Sequence, residues 1–351
     1  MCPSRLMTYL AAVTAVAVYS LPAFAQETLK MNISIAQNSH YGAAVDTFAR
    51  ELEKRSNGRF KVQNFYSGAL GAERESIEAV QLGTLDLTMT STGPVPNFVP
   101  EVAILDIPFL FRDYAQARAA LDGKIGQDML GKFASKNLHA LAWGENGFRH
   151  MTNNKRAVAS PDDLKGLKMR IPGLAGKVYA NLGVDVKVLP GGEIFPALER
   201  GVIDAAEFVG PYQDRRLGLH KAAKFYYTTG WHESATVSEL LINKAAWDKL
   251  PKDLQAIVSN ASAACNVISE GWCQKANSDA MEDLKKQGVI ARPLPDDVIK
   301  ALRAETDKVL AEAISKDPLT KKVHDSYFAF KTKFDRWSEV SEEAYHVKVR
   351  G

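Results

Sequence analysis

The chain has 351 residues, with 44 lysines and arginines against 41 aspartates and glutamates, for a net charge of +3. That near balance gives no support for binding nucleic acid or another polyanion. The length suits two domains, each with its own core, better than one, and three cysteines are too few for a disulfide-built scaffold.

Residues 1–25 read as a cleavable secretory signal. Arg5 precedes an apolar run from Leu6 to Leu21, and Ala23-Phe24-Ala25 forms a small-x-small cleavage site. Thr8, Thr14 and Ser20 interrupt the run, which is short for a bilayer span. Cys2 lies before the run and does not suit lipid attachment. The expectation is an exported, periplasmic protein that does not insert in the membrane.

Alternating Leu29, Met31, Ile33 and Ile35 predict a first strand, followed by a helix from about Ala43 to Arg55 with Val45, Phe48, Ala49 and Leu52 on one face. A strand from Arg59 to Phe65, a helix from Glu73 to Leu82 closed by Gly83, and a strand from Leu85 to Thr90 complete a β-α-β-α-β run. This is the pattern of a sheet covered by helices. The pattern yields no assignment between Ser91 and Asn137.

Alternation resumes with a strand from Leu138 to Trp143. Pro161-Asp-Asp-Leu-Lys opens a short helix before a strand from Leu167 to Ile171, cut off by Pro172 and Gly173. A helix (177–182), a strand (185–189), a helix (193–199), a strand (202–208) and a helix (212–218) follow, and Thr236 to Ile242 reads as a returning strand. Beyond Lys244 the chain is nearly all helical. Lys252 to about Gln287 contains one glycine and no proline, and a helix of that length spans ~50 Å, wider than one small domain. Cys265 and Cys273 lie on it ~12 Å apart, beyond disulfide reach, and read as two buried thiols. A short strand (289–292), a helix (296–314) and a polar tail end the chain.

Catalytic and cofactor motifs are missing. His232-Glu233 lacks the second histidine of a zinc peptidase, and no Walker loop, Gly-x-Ser-x-Gly elbow or Cys-x-x-Cys occurs. The seven scattered histidines read as structural or solvated. The polar groups that remain sit at strand ends: Thr90-Ser91-Thr92, Arg149, Arg170, Glu207-Phe208 and Glu233. In an open α/β sheet such ends converge on a ligand crevice. Arg170 stands out, because its flat fork of donors matches a carboxylate two bonds at a time. The bland alternatives are an ion pair to Asp162 or Asp163 for Arg170, and a structural pair between Glu207 and Arg149 or Arg170. Phe208 and Trp231 suit either a pocket wall or ordinary core.

The chain resembles the solute-binding proteins of tripartite ATP-independent periplasmic (TRAP) transporters. The resemblance rests on Ser67-Gly-Ala-Leu-Gly-Ala-Glu-Arg74 with Val80-Gln-Leu-Gly-Thr-Leu-Asp86, Leu105-Asp-Ile-Pro-Phe-Leu-Phe111, Phe148-Arg-His-Met-Thr-Asn153, Pro161 through Arg170, and Ala197-Leu-Glu-Arg-Gly-Val-Ile-Asp204. It implies an α/β, two-domain periplasmic binding-protein fold with a hinge of crossing strands and a long helix bracing both domains. The domains fall at 26–147 plus 235–280 and 148–234 plus 281–335, with a tail at 336–351. It implies a non-enzymatic subunit, monomer or dimer, that closes over a small organic acid and hands it to a membrane permease. Arg170 would clamp the carboxylate, and Arg149 would add a second contact. Thr92, Asn146, Phe208 and Trp231 would shape the site.

Glu207-Phe-Val-Gly-Pro-Tyr-Gln-Asp214 and Lys224 through Glu233 look like the branch that binds 2-oxo and 2-hydroxy monocarboxylates, with a C4-dicarboxylate as the alternative ligand. In that branch a sodium or calcium ion can bridge ligand and protein, with ligands that would match Glu207, the carbonyl of Phe208 and Glu233; no cofactor is required. Arg149 stands where that branch has an amide beside the cation. A guanidinium there either repels the cation or replaces its charge, and the sequence leaves both arrangements open.

Overall fold

The computed structural model describes residues 26–90, 99, 108–109, 111, 113–145, 151–153, 157–233, 237–316 and 318–350. The signal segment 1–25 and the site candidates Thr92, Asn146 and Arg149 lie outside them.

The first sheet grows from the β-α-β-α-β run. Strand β1 (Glu27–Asn32) leads into helix α1 (His40–Arg55), whose N-terminus is capped by the Ser39 hydroxyl accepting from the Gly42 N–H at 3.0 Å. Strand β2 (Phe60–Phe65) and helix α2 (Glu73–Leu82) follow. Gly83 ends α2 in the left-handed region (φ 77°), a conformation that costs a residue with a Cβ, and β3 (Leu87–Thr90) comes next. Helices α3 (Tyr114–Asp122) and α4 (Lys124–Leu130) occupy the stretch for which the sequence pattern gives no assignment. Strand β4 (Leu138–Glu145) closes this part.

The chain then enters a second sheet. Its elements are β5 (Met151–Asn153), a 3-10 turn at Pro161–Leu164, β6 (Lys168–Arg170), α5 (Gly173–Asn181), β7 (Asp185–Lys187), α6 (Gly191–Glu199), β8 (Ala205–Glu207), α7 (Pro211–Leu217), α8 (Leu219–Ala222) and β9 (Phe225–Tyr227). Strand β10 (Val237–Asn243) returns to the first sheet, followed by α9 (Lys244–Lys249) and the 35-residue helix α10 (Lys252–Lys286). Strand β11 (Ile290–Arg292) joins the second sheet again, and α11 (Asp296–Lys316), α12 (Pro318–Val340) and α13 (Glu342–Lys348) end the chain.

The five-stranded sheet has the order β2-β1-β3-β10-β4, with β10 antiparallel to both neighbours. The six-stranded sheet runs β11-β9-β5-β8-β6-β7, with β5 antiparallel between β9 and β8. Each sheet has its own core. Phe48, Leu52, Phe60, Trp143, Leu240 and Val258 fill the first; Met169, Val178, Tyr179, Tyr227, Trp231 and Leu302 fill the second. This is a two-domain α/β fold in which the chain crosses between sheets from β4 to β5 and from β9 to β10. Helix α10 packs on α1 and β4 at one end and on α7 further along. The Tyr212 N–H donates to Asn277 Oδ1 (3.0 Å), and the Tyr212 ring meets Trp272 edge-on.

The polar tail expected from the sequence is helical through Lys348. Its anchor is apolar: Val323, Tyr327, Phe328 and Phe330 of α12 pack with Phe111, Tyr114 and Ala117 near α3. Cys265 and Cys273 are both buried and unbridged. Among the described residues no helix is long and apolar enough to cross a membrane.

Candidate functional site

Three parallel strands place the central arginine. Strand β6 lies between β7 and β8, and at its last residue Arg170 aligns with Lys187 and Ala206. Pro172 cannot continue the ladder, so the chain leaves the sheet into α5 immediately beyond this point. Arg170 is only 8% exposed. Its Nε donates to the Leu189 carbonyl at 3.1 Å, and its Nη1 donates to the Glu207 carbonyl at 2.6 Å and to Glu207 Oε2 at 3.1 Å. The carboxylate partner is therefore Glu207, one of three carboxylates considered for it on sequence, beside Asp162 and Asp163. Asp162 pairs with Lys165 (2.7 Å), and Asp163 caps the backbone of Ala159 and Ser160.

Glu207 is fully buried at the end of β8. Two strand ends carrying opposite charges thus meet side by side, where the guanidinium offsets the desolvation of the carboxylate. The next residue, Phe208, lays its ring under the guanidinium, with Arg170 Cζ 5.6 Å from the centroid. The same ring presses on the start of α6. A Cβ at Gly191 would lie 2.8 Å from Phe208 Cζ, so only glycine fits there without moving the ring.

The loop after β9 supplies the third side. It is tied to β11 and the residues beyond it by Thr228 N–H to the Arg292 carbonyl (2.9 Å) and Leu294 N–H to Thr229 Oγ1 (3.0 Å). Trp231 turns into the second core, where its indole N–H donates to the Tyr179 hydroxyl at 3.1 Å and its carbonyl accepts from Phe109 N–H at 3.1 Å. Burial pushes the Tyr179 hydroxyl pKa up, and the nearby Glu207 charge adds to this, so the phenol stays protonated. His232 and Glu233, 8% and 6% exposed, turn toward Glu207. One oxygen or nitrogen from each of Glu207, His232 and Glu233 lies within 4.8 Å of the other two.

The structure thus brings together Arg170, Glu207, Phe208 and Glu233, and sets Trp231 behind them as a packing support. His232, which its sequence context marks as an ordinary histidine, stands beside Glu207 with Nε2 3.9 Å from Oε1. The sequence signal for it is its place next to Glu233 in a strand-end loop. A third buried acid nearby, Asp214 of α7, accepts from the Tyr226 hydroxyl at 2.6 Å; burial pushes its pKa up to about 7.

Residues 31–317 match the family model for bacterial extracellular solute-binding protein, family 7. The chain belongs to that family, the solute-binding proteins of TRAP transporters. Members of this family are extracytoplasmic binding subunits of transporters and not catalysts. This family 7 protein is 48% identical over 275 residues to a solute-binding protein of Verminephrobacter eiseniae, covering 76% of this chain and 79% of the relative. It is 36% identical over 301 residues to the monocarboxylate 2-oxoacid-binding periplasmic protein of Nostoc, covering 86% and 83%. A TRAP periplasmic solute binding protein from Colwellia psychrerythraea, solved with bound calcium and pyruvate, superposes with a TM-score of 0.85 at 31% identity, covering 91% of this chain and 98% of that one.

Proposed function

We propose that this protein captures a small 2-oxo or 2-hydroxy monocarboxylate in the periplasm and delivers it to TRAP permease subunits. The observation that carries this reading is the buried Arg170–Glu207 pair at the ends of β6 and β8, with Glu233 brought alongside. A guanidinium held by two carbonyls and one carboxylate is preorganised, so little entropy is lost when an acid docks on it. The likeness to the Nostoc 2-oxoacid-binding protein supports the ligand class.

In this reading Arg149, Thr92 and Asn146 complete the ligand's surroundings, and the two sheets belong to domains divided near residues 147–148, 234–235 and 280–281 that close on each other over the acid. Glu207, the Phe208 carbonyl and Glu233 would hold a sodium or calcium ion that bridges protein and ligand. The donor set fits such an ion: two buried carboxylates lie near one another beside a strand end, and oxygen donors suit hard cations. Residues 1–25 would direct export and be removed.

Calorimetric titration of the purified protein with pyruvate, lactate, acetate and succinate tests the ligand class. Pyruvate or lactate should bind at least tenfold more tightly than acetate, which lacks the 2-oxo or 2-hydroxy oxygen, and than succinate. A preference for succinate would replace this reading with a C4-dicarboxylate carrier, and turnover of any of these acids would overturn the binding-only role.

A further inference from the structure

We infer that Gly191 is a specificity-determining residue of the acid site. By giving the Phe208 ring its seat against α6, it leaves room for a substituent larger than methyl on the 2-carbon of the bound acid. This rests on the proposed function and deepens it: Gly191 acts on the acid through the ring and not by touching it.

The turn between β7 and α6 holds two parts of the site at once. Its Leu189 carbonyl accepts from Arg170 Nε at 3.1 Å. Two residues on, Gly191 faces the ring that lies under the same guanidinium, with Arg170 Cζ 5.6 Å from the ring centroid. Pro190, between them, holds φ at −58°. The clamp and the seat of the ring are therefore fixed by one stiff turn.

A Cβ at Gly191 would lie 2.8 Å from Phe208 Cζ and 2.9 Å from Cε2. Carbon atoms pack at about 3.5–4.0 Å, so a methyl group there demands a displacement of about 1 Å. Helix α6 cannot supply it. Its Ile194, Ala197 and Leu198 are buried in a cluster with Ile203, Ala206 and Leu219, and a close-packed cluster yields little. Phe208 is only partly buried, and the atoms met are the far tip of its side chain. The tip therefore swings to its exposed side, where the acid docks on Arg170, and the room beside the carboxylate shrinks.

Backbone conformation is not what calls for this glycine. Gly191 opens the first turn of α6 and is not among the glycines with positive φ, so alanine adopts its conformation and is the better helix former. Its neighbour Gly192 has nothing within 4 Å of the place a Cβ would take. The pair thus contains its own control: the same substitution meets the ring at one position and open space at the next. One methylene of room in an apolar pocket changes discrimination roughly 10–200-fold, which sets the size of the effect expected.

The test titrates the mature protein calorimetrically with pyruvate and with the bulkier 2-oxoisovalerate. Wild type should bind 2-oxoisovalerate no more than about tenfold more weakly than pyruvate. Gly191→Ala should lower the ratio of 2-oxoisovalerate to pyruvate affinity at least tenfold, and Gly192→Ala should leave it within about twofold of wild type. Adding Phe208→Leu to Gly191→Ala should restore the ratio, because leucine lacks the ring tip that the new methyl meets; damage to the turn or to α6 would not be repaired this way. Exclusion of 2-oxoisovalerate by a wild type that binds pyruvate overturns the inference. So does an unchanged ratio in Gly191→Ala, an equal loss of both acids, or no recovery in the double variant. Should Gly191→Ala not fold, Phe208→Leu alone decides it: the ratio should rise about threefold or more, and an unchanged or lowered ratio refutes the role. Pyruvate binding with a ratio indifferent to these changes removes only the role of Gly191, whereas failure of the wild type to bind any of the acids removes the proposed function and this inference with it.

Discussion

Arg170 does two jobs with one side chain, and they can be separated experimentally. It neutralises a fully buried carboxylate and, in the proposed function, presents a guanidinium to the acid. Arg170→Ala should therefore lose ligand affinity by about a hundredfold or more and also lose roughly 3–5 kcal/mol of stability, because Glu207 is left charged and uncompensated. Arg170→Met with Glu207→Gln removes both charges and should recover most of the stability while leaving binding lost. Urea midpoints and calorimetry read the two quantities independently; binding retained by the double variant would remove Arg170 from the site. The sequence shows this residue clearly, since a strand cut off by Pro172-Gly173 puts its last side chain at a crevice. It does not show which carboxylate stands opposite. That depends on β8 lying next to β6, a pairing between residues 37 apart that no local pattern encodes.

Several of the longer elements were legible, whereas α3 and α12 were not. Helices α1, α2 and α10 follow from their apolar spacing and end signals, because those patterns are local. The second sheet is built from three-residue strands, too short for alternation to define, and what marks them is the glycines and prolines between them. Helix α12 was read as part of a polar tail, because the partners that give its Val323, Tyr327, Phe328 and Phe330 a core, Phe111 and α3, are remote in sequence. Helix α7 shows a cost of packing that sequence cannot display: it buries Asp214 against Tyr226 of β9. With a folded pKa of about 7 against roughly 3.9 unfolded, Asp214 holds a proton in the native state that the unfolded chain has released. Its contribution to stability is therefore present at acid pH and lost as pH rises from about 4 to about 7. Asp214→Asn lacks this term. Its urea midpoint should fall less than that of wild type between about pH 5 and about pH 8, and parallel curves would show that Asp214 is ionised throughout.

At the scale of the whole molecule, α10 packs on α1 and β4 of the first half and on α7 of the second, and its two cysteines sit at different stations on it. Cys265 lies in the first core, with its thiol near the Ala44 carbonyl, and burial pushes its pKa up. Cys273 lies where α7 rests on α10, beside Val209, Tyr212 and Gln213. Val209 follows Phe208 directly, so the α7–α10 contact is joined to the site by one short stretch of backbone. A ligand that fixes Phe208 and Glu207 should hold α7 on α10, whereas the first core gains nothing from that contact. Thiol labelling of the native protein, resolved by peptide mass, should therefore be slow at both positions, and saturating pyruvate should slow Cys273 more than Cys265. The difference distinguishes local opening from global unfolding, because global stabilisation by a ligand protects both thiols by the same factor. Equal protection would mean that the acid stabilises the fold as one unit. Selective protection of Cys273 would place the moving joint of the proposed closure between α7 and the long helix.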